Sequence, residues 1–237
     1  MTMAEPVPEL VTLHVWRVPR RAVPAALARM AADPRAVRAT PGLRFAKLLG
    51  TGPGRTFSVR EGDPRRWALL ATWADAGAAA AFDSSAVVGR WDRMAEESWR
   101  VRMRPLAARG RWSRREPFGS PADGGRWDGP VAAVTRARLA PRRLRTFWRA
   151  VPPVSVDLAG RAGLRLSLGI GEAPVGLQGT FSVWDSARSL REFAYAGAAH
   201  RAVVERTATE GWYAEELFAR FAPYGSAGTW DGRDPLA

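Results

Sequence analysis

Arg111-Trp112-Ser113-Arg114-Arg115-Glu116-Pro117-Phe118, near the middle of the chain, is repeated in pattern by Thr229-Trp230-Asp231-Gly232-Arg233-Asp234-Pro235-Leu236 at its end. Trp, Arg, an acid, Pro and a large apolar residue recur at the constant spacing that separates Trp112 from Trp230. Working outward, Gly42-Leu43-Arg44 lies over Gly163-Leu164-Arg165, Gly50 over Gly171, and Val18 over Leu139, with one shared spacing. Trp73 and Phe82 match Trp184 and Phe193, and Glu97-Ser98-Trp99 is expected to match Glu210-Gly211-Trp212. The order of these matches never changes. So long a period excludes a solenoid and implies two copies of one small domain.

Each copy reads alike. Val11 to Val18 is β-branched and aromatic and stops at Pro19, which predicts a strand. Arg20 to Met30 has Val23, Leu27 and Met30 at helical spacing. Leu43 to Leu49 predicts a strand after a Thr40-Pro41-Gly42 turn, Arg55 to Pro64 a loop, and Trp67 to Trp73 a strand. Asp75 to Glu97 predicts a helix capped by Asp75, and Trp99 to Leu106 a closing strand. The second copy repeats this in Val131 to Leu139, Pro141 to Ala150, Leu164 to Ile170, Gln178 to Trp184, Asp185 to Glu210 and Leu217 to Phe221. The fold class expected is α+β, a duplicated ferredoxin-like unit (βαββαβ twice) whose two sheets close into an α+β barrel. Residues 1–116 would form the first repeat, 117–130 a Gly- and Pro-rich linker, and 131–237 the second repeat.

Composition narrows the chemistry. With no cysteine among 237 residues, disulfides, thiolate nucleophiles, zinc–sulfur sites, iron–sulfur clusters and thiolate-ligated haem are excluded. The net charge of +13 comes almost wholly from arginine, Lys47 being the sole lysine. Those arginines are dispersed along the chain, so nucleic acid is not expected as a partner; they would suit haem propionates or an anionic membrane surface. No signal peptide or bilayer-length apolar run is evident, and a cytoplasmic location, with peripheral membrane contact allowed, is the expectation.

Dinucleotide, phosphate-loop and H-E-x-x-H motifs are absent. Gly50-Thr51-Gly52-Pro53-Gly54 and Gly169-Ile170-Gly171 read as sharp strand-to-loop turns. Of the two histidines, His14 sits mid-strand on the face of Thr12 and Trp16, where a structural role is the simpler reading. His200 lies among small residues, and the matching stretch of the first copy, Val87 to Gly89, has no histidine. An asymmetric ligand site requires such a break of symmetry. Neutral imidazole suits haem iron, which makes His200 the candidate metal and cofactor ligand; Tyr195, Tyr213 and Tyr224 are the competing ligands. Most of the eleven tryptophans fall at repeat-equivalent positions and read as core.

Thr40-Pro41-Gly42, Leu70-Ala71-Thr72-Trp73, Glu97-Ser98-Trp99, Arg109-Gly110-Arg111-Trp112-Ser113, Gly169-Ile170-Gly171-Glu172, His200-Arg201-Ala202 and the run from Glu210 to Phe221 followed by Gly228-Thr229-Trp230 resemble the spheroidene monooxygenase family. The resemblance runs from about Leu13 to Leu236. It implies haem b held through His200, dioxygen as oxidant, an external electron donor such as a ferredoxin, and an apolar substrate of carotenoid type. It implies no distal catalytic residue that can be matched to a motif. Two other readings stay open: a haem lyase of the aldoxime-dehydratase kind, and a non-catalytic haem- or nucleic-acid-binding protein.

Overall fold

The computed structural model describes residues 8, 10–53, 62–119, 127–139, 162–172, 179–196 and 213–237. Eight strands, β1 (Leu10–Arg17), β2 (Leu43–Gly52), β3 (Asp63–Trp73), β4 (Glu97–Gly110), β5 (Val131–Leu139), β6 (Leu164–Gly171), β7 (Gly179–Trp184) and β8 (Tyr213–Gly228), close into one antiparallel barrel. The order around the barrel is β1-β3-β2-β6-β7-β5-β8-β4. Four neighbouring strands thus come from each copy, as a duplicated ferredoxin-like unit requires. Helices α1 (Val23–Arg38), α2 (Ala76–Asp83), α3 (Ala86–Met94) and α4 (Ala187–Ala196) are also present.

Period-two alternation sends one face of every strand inward. Leu13, Val15, Phe45, Leu70, Trp99, Val101, Val134, Leu168, Phe181 and Phe221 belong to a single buried cluster inside the barrel. Phe118 joins them, fully buried and edge-on to Phe221 with ring centres 4.8 Å apart, so the stretch expected as a linker begins inside the core. The outward face of the first half carries Leu10, Trp16, Trp67, Leu69, Ala71 and Trp73, which pack with Val37, Phe82, Val88 and Trp91 of α1, α2 and α3.

Several local expectations need correction. The helix read from Asp75 to Glu97 is two helices, because Ser85 begins a new one: its hydroxyl accepts from the Val88 N–H as Asp75 accepts from the Ala78 N–H at 2.8 Å. The glycines of Gly50–Gly52 and Gly169–Gly171 are not turns. They form the seam where β2 meets β6, with Gly50 opposite Gly171 and Gly52 opposite Gly169. Asp63 and Pro64 lie in a strand, not a loop. The helix expected at Pro141 to Ala150 and the far part of that expected at Asp185 to Glu210 lie outside the described residues.

Strand register also corrects one repeat match. Val15 pairs with Trp99, and its counterpart Arg136 pairs with Leu217, so Trp99 corresponds to Leu217 and not to Trp212. The β4–β8 ladder confirms this, running from Trp99 opposite Gly228 to Gly110 opposite Leu217. Gly110 and Gly228 are twins under this relation, both with left-handed φ (+90° and +82°). A Cβ on either would lie 2.2 Å from a backbone oxygen, that of Glu216 or Ser98. Only glycine fits there.

Candidate functional site

The repeat makes the two outward faces comparable position by position. In the first half the face is filled. His14 stacks on Trp16 at 5.5 Å between ring centres, Trp16 stacks on Trp91 at 5.3 Å, and Phe82 meets the His14 edge. His14 Nε2 lies 2.9 Å from Asp83 Oδ1, while Asp83 Oδ2 accepts from Arg102 at 2.7 Å and Arg100 lies at 3.0 Å. Burial pushes the Asp83 carboxyl up, but the hydrogen bonds from His14 and Arg102 and both neighbouring charges outweigh it and hold it at about 2. His14 is therefore a buried structural partner of a carboxylate, as its strand position suggested.

In the second half the same positions carry short side chains. Thr135 stands where the first half has His14, Ala137 for Trp16, Gly169 for Leu48, Thr180 for Leu69, Ser182 for Ala71 and Ser167 for Ala46. Cross-strand pairing brings Ala133, Ser182 and Ser167 into one row, and Thr135, Thr180 and Gly169 into the next. A large side chain fully buried contributes on the order of 2–3 kcal/mol, and this floor forgoes it at several positions. Its polarity changes too. Ser182 Oγ accepts from Trp184 Nε1 at 2.9 Å, and Ser167 Oγ is buried with no hydrogen-bond partner among the described residues. Helix α4 covers part of the face through Phe193, which stacks on Trp184 at 5.1 Å. The second half's outward face is thus lined by glycine, alanine and hydroxyl residues where the first half has aromatic and large aliphatic ones at four of the matched positions.

His200 lies outside the described residues, four positions past the end of α4. The side chains of Tyr195 and Tyr213 are likewise outside them, whereas Tyr224 is half exposed on β8. The structure thus does not bring His200 to the floor or away from it. The floor residues were missed in the sequence because they are ordinary one by one; subtracting one repeat from the other is the signal that reveals them.

A second cluster, also unforeseen, sits at the barrel mouth beside Trp112. Arg136, only 3% exposed and pointing inward where the first half has Val15, donates to Glu172 Oε1 at 2.7 Å and Glu215 Oε2 at 2.9 Å. Glu172 also receives Trp112 Nε1 at 2.6 Å and Lys47 Nζ at 2.5 Å. Burial raises the Glu172 carboxyl, but these donors more than offset it and leave it below the ordinary range.

The fold is a duplicated α+β barrel whose second outward face carries smaller side chains than its first at several matched positions. Comparison with known proteins gives the family. The chain is 36% identical over 89% of its length to spheroidene monooxygenase of Cereibacter sphaeroides, though the match spans 65% of that protein, less than two thirds. It is 34% identical to the Rhodobacter capsulatus spheroidene monooxygenase, covering 91% of this chain and 90% of that one. The Rubrivivax gelatinosus spheroidene monooxygenase is 41% identical over 81% of this chain and 73% of its own. The chain belongs to the spheroidene monooxygenase family, and membership supports an activity of the monooxygenase class. Among solved structures, aldoxime dehydratase superposes with a TM-score of 0.54 at 13% identity, covering 90% of this chain and 80% of that one, a likeness of fold alone. No family model matches the chain.

Proposed function

We propose that this protein is a haem-dependent monooxygenase that hydroxylates, and by repetition ketonises, an apolar, carotenoid-like substrate. In this reading haem b stands on the floor made by Thr135, Gly169, Thr180 and Ser167, with His200 as its iron ligand. The observation that carries the reading is the one-sided clearing of that floor, together with a histidine confined to the same half. When bound, the haem supplies dioxygen activation, with electrons from an external donor such as a ferredoxin. The chain's own part is to seat the ring against short side chains and to keep water from its face. The floor hydroxyls of Thr135, Thr180 and Ser167 would offer hydrogen bonds to whatever polar atom faces them. An apolar substrate of low solubility suits contact with a membrane surface, which the arginine excess would favour; no helix among the described residues is long and apolar enough to cross one.

The test is an absorption spectrum of the purified protein with added haem, for wild type and His200→Ala. A Soret band in wild type that is lost or strongly altered in the variant is expected. Labelled dioxygen supplied with a reductant and an acyclic polyene should place label in the product. A wild type that stays colourless with haem refutes the reading.

A further inference from the structure

The two mouths of the barrel are related by the same repeat that relates its halves, and they carry opposite charge. We propose that the cleft at the Trp112 mouth binds a small anionic ligand through a phosphate or carboxylate group, held by the guanidinium groups of Arg114 and Arg138. This site is independent of the haem reading.

The Trp230 mouth serves as the internal control. There Arg17 lies 2.8 Å from Glu97 and 3.0 Å from Asp231, Arg66 lies 3.1 Å from Asp231 and 3.3 Å from Asp63, and Arg65 pairs with Glu96. Three arginines thus face four carboxylates. At the Trp112 mouth the counterparts of Glu96 and Asp231 are Ala214 and Ser113, so two acids are gone. Val15 and Gly232 are replaced by Arg136 and Arg114 while Arg65 and Arg66 align with Gly176 and Leu177, so each mouth keeps three arginines and the Trp112 mouth adds Lys47. Arg138 stands where the other mouth has Arg17.

The two carboxylates of this mouth, Glu215 (the twin of Glu97) and Glu172 (which stands where the first copy has Thr51), are already engaged. Glu172 is taken by Lys47, Trp112 and Arg136, and Glu215 by Arg136 and by the backbone N–H groups of Ser113 (3.0 Å) and Arg114 (2.7 Å). Burial raises Glu215, yet those N–H donors and Arg136 leave its carboxyl below the ordinary range, so it stays a saturated anion. Arg114 and Arg138 are exposed and have no ion pair among the described residues. Both line a cleft of about 470 Å³, together with Ser113, Arg136, Glu172 and Glu215. That volume suits a small molecule, and a pair of planar guanidinium forks matches an oxyanion.

The backbone adds an independent indication. Arg114 has φ +64°, and its twin Gly232 has φ +79°. The turn also closes with glycine: Trp112 N–H donates to Arg115 O and Trp230 N–H to Arg233 O, both at 2.8 Å, with the return bonds at 3.2 Å and 3.5 Å. An arginine kept in a left-handed position that its own repeat fills with glycine points to work for the side chain.

The test compares wild type, R114G/R138Q and the charge-matched control R20Q/R21Q, which alters exposed arginines remote from the mouth. Arg114→Gly installs the residue the other repeat uses, so folding should be retained; R114G alone serves if the double variant is insoluble. Calorimetric titration with pyrophosphate and with citrate should show one-site binding to wild type that weakens at least tenfold in R114G/R138Q and not in R20Q/R21Q. Binding of neither anion by wild type, or equal weakening in the control, overturns the proposal. Co-sedimentation with phosphatidylglycerol vesicles identifies the source of the anion. Vesicle binding displaced by pyrophosphate and lost in R114G/R138Q assigns a lipid headgroup; vesicle binding indifferent to both assigns a soluble ligand.

Discussion

Replacing Asp83 by Asn removes the charge that His14, Arg100 and Arg102 converge upon while keeping the side chain's size. The folded carboxyl sits at about 2 against an ordinary 3.8. At about 1.4 kcal/mol per pH unit, that difference is worth ~2 kcal/mol of folding free energy at neutral pH. A depressed carboxyl contributes its full stabilisation above the unfolded value and loses it as pH falls through the folded one. The gap between wild type and Asp83→Asn should therefore be constant from pH 7 down to about 4, shrink between 4 and 2, and vanish below. Urea unfolding followed by tryptophan fluorescence measures it, and in thermal unfolding the variant should melt roughly 4–8 °C lower at pH 7. Equal urea midpoints at pH 7 would show that the buried histidine–carboxylate–arginine contact contributes nothing, and a gap undiminished well below pH 2 would show that its contribution is not that of the Asp83 charge.

Gly228→Ala and Gly110→Ala should each cost more than about 3 kcal/mol, through a backbone clash combined with left-handed φ, whereas Gly232→Ala, with nothing within 4 Å of its new Cβ, should lose about 1 kcal/mol; thermal melts decide. Ala137→Trp restores the bulk that the first half has at Trp16, and should abolish haem uptake by the Soret band while leaving far-ultraviolet circular dichroism unchanged. Glu172→Gln leaves Lys47 and Arg136 without their shared anion and should destabilise by about 1–3 kcal/mol at pH 7. That loss should fade as pH drops below the ordinary carboxylate range, because the wild-type group is held low.

The duplication and the closed barrel were legible because Trp112 and Trp230, Gly50 and Gly171, and Trp73 and Trp184 hold fixed places that packing demands. Alternation placed His14 on the face of Thr12 and Trp16, but its partner Asp83 comes from a distant helix and was not legible. The Trp99 match failed since a local Glu-x-Trp likeness says nothing of strand register, which pairing across β1 and β4 determines. The seam glycines were misread as turns because a glycine pair looks the same in a loop and where two backbones approach. The cleared floor and the Arg114 mouth were hidden for another reason: each is a difference between two places in space, and no residue in either is unusual by itself.

The unequal joints of the barrel have a mechanical consequence. Along one side β4 and β8 are laced together from Trp99–Gly228 to Gly110–Leu217, while on the opposite side, among the described residues, β2 and β6 pair through Gly50–Gly171, Thr51–Ile170 and Gly52–Gly169. The first is a spine and the second a clasp. Pulled apart, the molecule would open as a book does, its two leaves intact and still bound along the long edge, with the barrel interior laid bare between them.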